Sequence, residues 1–417
     1  MKRRISVLLV FLLSMLTACG GSGSPVGSGT DGIVNSSVAS SASDGVSGLP
    51  SDGVPVSSEV HSEVDITVEQ KTDLLIERME LEEKIYQLLV VTPEQLTGEK
   101  TVTKTTKALK NALAEHPVGG VVLFAKNITG RKQVTKLLLG IKEASAVAPF
   151  LCVDEEGGRV ARVGNNPELG TTAFPAMLTV GADGDTSAAQ NVGRVIGSEL
   201  LELGFNLDFA PVADVFTNPE NTVIGDRAFS TDPEIAAGMV SAAVKGFNES
   251  GMLCTLKHFP GHGDTAQDSH KSPAFSLRGL EELLQNEFLP FSAGISAGAP
   301  LVMVGHISLP NVTGNDIPAT LSPEIVTGLL RQRLGFDGIV ITDSMSMAAV
   351  SGLYGSGEAA VAAVKAGVDM ILMPEDPVAA AEGLVAAVRS GEISEQRIDE
   401  SLRRVLQAKI RAGIIAE

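Results

Sequence analysis

The chain has 417 residues, 44% of them hydrophobic, and a formal net charge of -18. That length and apolar share suffice for a large buried core, and the acidic balance argues against a nucleic-acid partner and against holding an anionic lipid surface by charge. Tryptophan is absent and aromatic residues make up only 4%, which excludes broad aromatic platforms for polysaccharide but leaves room for a small pocket that reads hydroxyls with charged groups.

Residues 1–19 read as a targeting segment. Lys2, Arg3 and Arg4 precede an almost wholly apolar run from Ile5 to Leu16, which is too short for a membrane span. The run ends Leu16-Thr17-Ala18-Cys19-Gly20, which resembles a bacterial lipobox; Cys19 is then expected to carry lipid and become the mature N-terminus. A plain secretory signal with an incidental cysteine is the competing reading. Residues 20–65 are rich in Gly, Ser, Val and Asp, contain no lysine or arginine, and hold neither helical nor strand periodicity for long. They are expected to form a flexible linker with an end-to-end distance of roughly 35–40 Å, holding a folded domain of residues 66–417 off a membrane.

The domain begins near Ile66, and within it the stretch Met79-Glu80-Leu81-Glu82-Glu83-Lys84-Ile85-Tyr86-Gln87-Leu88 is apolar at helical spacing with acids in the first turn. Beyond it, short apolar runs alternate with amphipathic or alanine-rich stretches. Strands are predicted at 88–92, 120–124, 149–154, 205–211, 254–258, 301–306, 338–343 and 370–373, and helices at 131–145, 187–203 and 233–250 among others. Eightfold alternation predicts one (β/α)8 barrel of the α/β class. A doubly wound open sheet is the alternative, but no Gly-x-Gly-x-x-Gly turn follows the first strand. Cys152 and Cys254 fall in predicted strands and are expected to be buried thiols rather than a bridge. A barrel carries its chemistry at the C-terminal ends of its strands. Asp154, Asp214, His258, His306 and Asp343 all close or follow one.

The stretch from Lys257 to His270 concentrates polar groups. It holds three of the chain's six histidines and two aspartates in a glycine-rich loop directly after a strand. Gly261 and Gly263 permit backbone angles and close approach that bulkier residues forbid. Asp268 and His270 are two apart, so in an extended segment they point the same way, and a carboxylate beside an imidazole makes a proton-transfer dyad. Zinc held by His258, His262 and His270 is a rival, but spacings of four and eight match no common zinc pattern, so no metal is expected. Before this loop, Asp154 and Arg162 bracket Glu155-Glu156-Gly157-Gly158-Arg159. Asp154 can accept bonds from two vicinal hydroxyls and Arg162 can grip an oxygen-rich group with its fork of donors, unless the segment is only a salt-bridged loop. Strand 338–343 ends in Asp343, an acid whose burial there argues for a task, with a helix N-cap as the plainer alternative. His306 is read either as pocket lining or as a satisfied core histidine. Ser394 is expected to cap a last helix whose apolar residues Ile398, Leu402, Val405, Leu406 and Ile410 close the barrel.

Lys257-His258-Phe259-Pro260-Gly261-His262-Gly263-Asp264-Thr265, followed by Asp268-Ser269-His270, resembles the signature of glycoside hydrolase family 3, and more narrowly its β-N-acetylglucosaminidase branch. Val153-Asp154-Glu155-Glu156-Gly157-Gly158-Arg159-Val160-Ala161-Arg162 resembles the family's Asp-x-Glu-Gly-Gly-Arg-Val-x-Arg motif. Gly225-Asp226-Arg227-Ala228-Phe229 is similar to its Gly-x-Arg-Ser-Phe segment, with Ala228 in place of serine, and Thr342-Asp343-Ser344 opens its Thr-Asp-(Asp/Ser)-x-x-Met motif. The resemblance covers the chain from about Met79 onward. It implies that Asp343 is a nucleophile, His270 a general acid/base paired with Asp268, and Asp154, Arg162, Arg227, Lys257 and His258 contacts to one sugar. Ser344 becomes the better helix-cap candidate.

The chain ends at Glu417 without the extra C-terminal domain of many larger members, so the acid/base is expected from the barrel itself. The implied activity is a retaining, exo-acting β-N-acetylglucosaminidase for wall-derived or chitin-derived glycans, with no cofactor. It is expected to act as a monomer, lipid-anchored at the outer face of the bacterial cytoplasmic membrane or in the cell envelope. The rivals are a β-glucosidase or a glycoside phosphorylase of the same family, and, in another class, a non-catalytic sugar-binding lipoprotein.

Overall fold

The computed structural model describes residues 66–269 and 272–415, so the expectations for Cys19, the 20–65 linker and His270 lie outside the described residues. Eight parallel strands build its centre: β1 Leu89–Val91, β2 Gly120–Val122, β3 Phe150–Val153, β4 Leu207–Asp208, β5 Leu253–Phe259, β6 Leu301–Val304, β7 Ile339–Thr342 and β8 Ile371–Leu372. Neighbours in sequence are neighbours in the sheet from β1 to β7, and β8 pairs back onto β1. The ring closes between β7 and β8 through a parallel bridge from Ile341 to Met370. There Thr342 N–H donates to Met370 O at 3.0 Å and Leu372 N–H donates to Thr342 Oγ1 at 2.9 Å. The barrel, not the open sheet, is therefore the architecture.

The strands are nearly continuous apolar runs because a parallel sheet wrapped in helices is buried on both faces. Cys152 and Cys254 are free and buried, as their strand positions predict. A helix follows each strand, and helix ends carry the local signals that place them. Pro233–Ser250 runs over the residues its sequence predicts: Asp232 Oδ1 accepts from Glu234 N–H at 2.9 Å and Ile235 N–H at 3.1 Å, Pro233 occupies the first turn, and Gly251 ends the helix with φ +82°. No described helix is long and apolar enough to cross a membrane.

The closing helix Glu395–Arg411 is capped by Ser394 and buries Ile398, Leu402, Val405, Leu406 and Ile410 as expected. It also buries Lys409, which lies fully out of solvent. Lys409 Nζ donates to Gln87 Oε1 at 3.0 Å and sits 5.1 Å from the Phe150 ring centroid. Burial pushes this ammonium down to about 7. An unfolded lysine holds its proton to about pH 10.4, so the folded state is penalised most below pH 7 and the penalty fades as pH rises towards 10. Lys409→Met is expected to stabilise the barrel by about 2–4 kcal/mol at pH 7, with the gain shrinking towards pH 10. Guanidinium unfolding of both proteins at several pH values checks this; a difference that does not change with pH contradicts it.

Candidate active site

Asp154, Arg162, Arg227, Lys257, His258, Asp268 and Asp343, which the sequence singled out, line one cavity of about 680 Å³, a volume in the range of small-molecule sites. It opens where the strands end. Asp154 follows β3, Lys257 and His258 lie in β5, and Asp343 follows β7, so the scaffold delivers them from three separate strands. Arg162 and Asp268 come from loops, and Arg227 ends the short 3-10 helix Gly225–Arg227. His306, by contrast, is absent from the lining. It is buried, with Nδ1 at 2.8 Å from Thr320 Oγ1 and Nε2 at 2.9 Å from Ser344 O, contacts that fit a core histidine bracing the Asp343 loop.

The floor is a charge network assembled from distant parts of the chain. After β3 the chain makes a short antiparallel hairpin, Glu155–Gly157 with Val160–Ala161, whose turn uses Gly158 at φ +56°. The hairpin aims Glu156 inward. Glu156 takes Arg227 bidentately, Nε to Oε2 and Nη2 to Oε1 both at 2.8 Å, and Lys257 Nζ at 2.6 Å. Lys257 Nζ also reaches Asp154 Oδ1 at 2.7 Å. Burial alone raises the Glu156 carboxyl, but Arg227 and Lys257 outweigh it and hold the group well below the usual carboxylate range. Burial likewise disfavours the Lys257 ammonium, and Asp154 and Glu156 reverse that, so Lys257 stays charged. These are buried ions held in place by each other, not swinging surface charges.

His258 extends the network. Its Nδ1 lies 2.7 Å from Asp214 Oδ2, and its Nε2 lies 3.4 Å from Arg227 Nη2. Arginine can only donate, so Nε2 accepts and the Nδ1 proton goes to Asp214. Asp214 is fully buried and also accepts the His262 N–H at 2.7 Å. Burial raises its carboxyl and His258 lowers it further, leaving it below the ordinary value. Both ring nitrogens of His262 face hydroxyls, Thr265 Oγ1 at 2.7 Å and Ser269 Oγ at 2.9 Å, and burial together with His258 lowers its pKa. Among the described residues no cluster of His, Cys, Asp or Glu is arranged to hold a metal.

The loop after β5 is seated by its glycines. A Cβ on Gly263 would stand 1.8 Å from Val215 O, and Gly261, at φ +119°, would place one 2.5 Å from Glu287 Cγ. Asp268 lines the cavity, and one sequence reading changes here. Ser344 is not a helix cap: its N–H donates to Asp343 Oδ1 at 2.7 Å and its Oγ meets Ser346 Oγ at 2.8 Å, and the short helix Ala348–Ser351 begins after Met347 instead. Arg162 keeps a buried Nε without a partner, with its guanidinium carbon 5.9 Å from the Phe124 ring centroid. The sequence reading missed Glu156 as the hub and Asp214 as the brace of His258. A strand-end acid was the signal for Asp214; for Glu156 there was only its place between two named residues.

Taken together, the cavity offers a carboxylate at Asp343, fixed cations at Lys257 and Arg227, and hydroxyl-reading groups at Asp154, Arg162 and His258. That is a set for gripping a small polyhydroxylated ligand and reacting at one of its carbons. Residues 80–408 match the family described as Glycosyl hydrolase family 3 N terminal domain. The chain is 33% identical over 337 residues to a beta-hexosaminidase A of Pseudoalteromonas piscicida, covering 74% of this chain and 56% of that one. It is 40% identical over 267 residues to a beta-hexosaminidase of Xylella fastidiosa (strain M23), covering 63% and 77%. Among solved structures it is similar to a glycoside hydrolase family 3 beta-N-acetylglucosaminidase from Paenibacillus sp. str. FPU-7, with a TM-score of 0.76, 39% identity, and coverage of 81% of this chain and 63% of that one. The chain thus spans less than two thirds of the Pseudoalteromonas and Paenibacillus proteins.

Proposed function

The chain belongs to glycosyl hydrolase family 3, and on that premise we propose that it is a retaining, exo-acting β-N-acetylglucosaminidase. Asp343 attacks the anomeric carbon of a terminal N-acetylglucosamine while His270, paired with Asp268, protonates the departing glycosidic oxygen. A glycosyl-enzyme forms on Asp343, and water deprotonated by His270 then releases the sugar with the anomeric configuration it began with. Asp154, Arg162, Arg227, Lys257 and His258 hold the ring. The substrate class is wall-derived or chitin-derived glycan, and the enzyme works from a lipid anchor at Cys19 on the outer side of the cytoplasmic membrane or in the cell envelope.

One observation carries this reading: Asp343 shares a single cavity with Asp154, Arg162, Arg227, Lys257 and His258, on a floor whose buried charges lock one another. A carrier that only binds sugar can use carboxylates as hydroxyl acceptors, as Asp154 is placed to do, but a double displacement needs one more as nucleophile, the part given to Asp343. Incubation with a 5-fluoro N-acetylglucosaminyl fluoride, followed by peptide mapping, is expected to find the label on Asp343. A label on any other residue overturns the mechanism. Turnover of the p-nitrophenyl N-acetyl-β-glucosaminide but not the matching glucoside, at a rate indifferent to phosphate, separates this enzyme from a β-glucosidase and from a phosphorylase.

A further inference from the structure

The whole-chain charge of -18 conceals a strongly basic flank. Residues 100–142 contain nine of the chain's 32 lysines and arginines, namely Lys100, Lys104, Lys107, Lys110, Lys126, Arg131, Lys132, Lys136 and Lys142. Against them stands one acid within the segment, Glu115, so it carries +8, or +6 with Glu99 and Glu143 at its two ends, while the rest of the chain is more acidic than the total suggests. All nine are exposed. Among the described residues only two of them meet an acid: Lys126 with Glu94 at 3.6 Å and Arg131 with Glu202 at 3.5 Å. Mixed surfaces pair or intersperse their charges, and seven unpaired cations in so short a stretch raise a local positive potential.

The fold gathers them on one side of the barrel. They sit on, before and between the helices Lys107–Glu115 and Arg131–Ala144, which follow β1 and β2. The loop that leads into the first helix is tied to the second, where Thr105 Oγ1 donates to Leu137 O at 3.3 Å and Gln133 Nε2 donates to Thr103 O at 2.7 Å. Between the helices runs a groove of about 530 Å³ that Lys104, Lys110 and Lys136 line together with Leu139 and one acid, Glu143. Leu139 is 52% exposed, on the same outward stripe of its helix as Lys132, Lys136 and Lys142. An apolar side chain standing out among lysines is the arrangement by which a helix lies in a bilayer interface, with its cations on lipid phosphates and its apolar group among the first methylenes.

We propose that this flank is a docking surface for an anionic lipid bilayer. The lysines take the headgroup phosphates, each contributing additively, and Leu139 enters the interface. A soluble polyanion would satisfy the lysines but has no use for the exposed leucine, which favours the bilayer. Because the flank is a side of the barrel and the candidate active site opens at its C-terminal end, docking leaves the cavity mouth facing along the membrane and open to substrate. The flank needs no contribution from residues 1–65.

Flotation with vesicles tests this, using the chain from Gly20 to Glu417 so that no acyl group is present. The protein is expected to float with vesicles of phosphatidylglycerol and phosphatidylcholine at low salt, to stay behind with phosphatidylcholine alone, and to be released at about 0.5 M salt, where charges are screened within a few ångströms. Lys104→Glu combined with Lys107→Glu, Lys110→Glu and Lys136→Glu is expected to lower the partition coefficient by roughly two to three orders of magnitude. Leu139→Ser is expected to weaken binding while every charge is kept. Hydrolysis of a soluble aryl glycoside or, should the enzymatic reading fail, an unchanged unfolding transition reports that each variant is folded. Equal flotation with neutral vesicles, binding that survives the four reversals, or retention on soluble polyphosphate without flotation each overturns the proposal.

Discussion

Asp343→Asn is expected to lower kcat on p-nitrophenyl N-acetyl-β-glucosaminide by roughly 10⁴-fold while leaving the affinity for N-acetylglucosamine close to that of the wild type. The two side chains are almost the same size, and the amide oxygen can still accept the Ser344 N–H that meets Asp343 Oδ1 at 2.7 Å. The loop therefore keeps its anchor, as does its outer brace, where Ser344 O meets His306 Nε2 at 2.9 Å. What disappears is the nucleophile, because an amide oxygen does not displace a glycosidic oxygen at neutral pH. Asp343→Gly extends the test by opening space for a small anion. With azide and an activated aryl glycoside it is expected to form the α-glycosyl azide, a single displacement on the face that Asp343 occupied. Substantial residual hydrolysis by Asp343→Asn, or a β-azide from Asp343→Gly, would remove Asp343 from the role.

How much of this was legible before any coordinates depends on the range of the forces involved. Strands and helices are written locally. The apolar run 149–154 contains β3 at Phe150–Val153, and Asp232, Pro233 and Gly251 mark both ends of the helix between them. The ring of strand-end residues was legible for the same reason, since a barrel presents whatever follows each strand on one face. Partnerships were not. The acids of 154–156 stand beside Arg159 and Arg162, and proximity suggests a local salt-bridged loop. The structure instead sends Glu156 to Arg227 and Lys257, 71 and 101 positions away, as the numbering shows. Arg159 turns outward to the carbonyls of Val223 and Ile224. Likewise the outlook of His306 depended on Thr320 and on a carbonyl of the Asp343 loop, neither of which the pattern around it announces. Whole-chain charge is likewise an average: -18 says nothing about where the lysines gather.

That long-range network makes Glu156→Gln the second large effect. Glu156 is 3% exposed and is the shared acceptor for two buried cations. The amide keeps one acceptor, but its NH2 must then face either the Arg227 Nε–H, at 2.8 Å from Oε2, or the Lys257 ammonium and the Arg227 Nη2 that now share Oε1. Donor meets donor on one side, and Asp154 and Asp214 are left to balance both cations. Breaking one partner out of a buried ionic set costs about 3–5 kcal/mol of stability, because the uncompensated charge stays buried. The same loss frees Lys257 and Arg227 from the positions in which they meet a sugar, so kcat/KM is expected to fall roughly 10²–10³-fold. Lys257→Met separates coupling from simple damage. Removing the lysine relieves much of the imbalance that Glu156→Gln creates, so the double variant should be more stable than the sum of the two single losses predicts. Strict additivity in chemical unfolding would mean that Glu156 and Lys257 act independently, and the floor of the cavity would then have to be explained without the ion network.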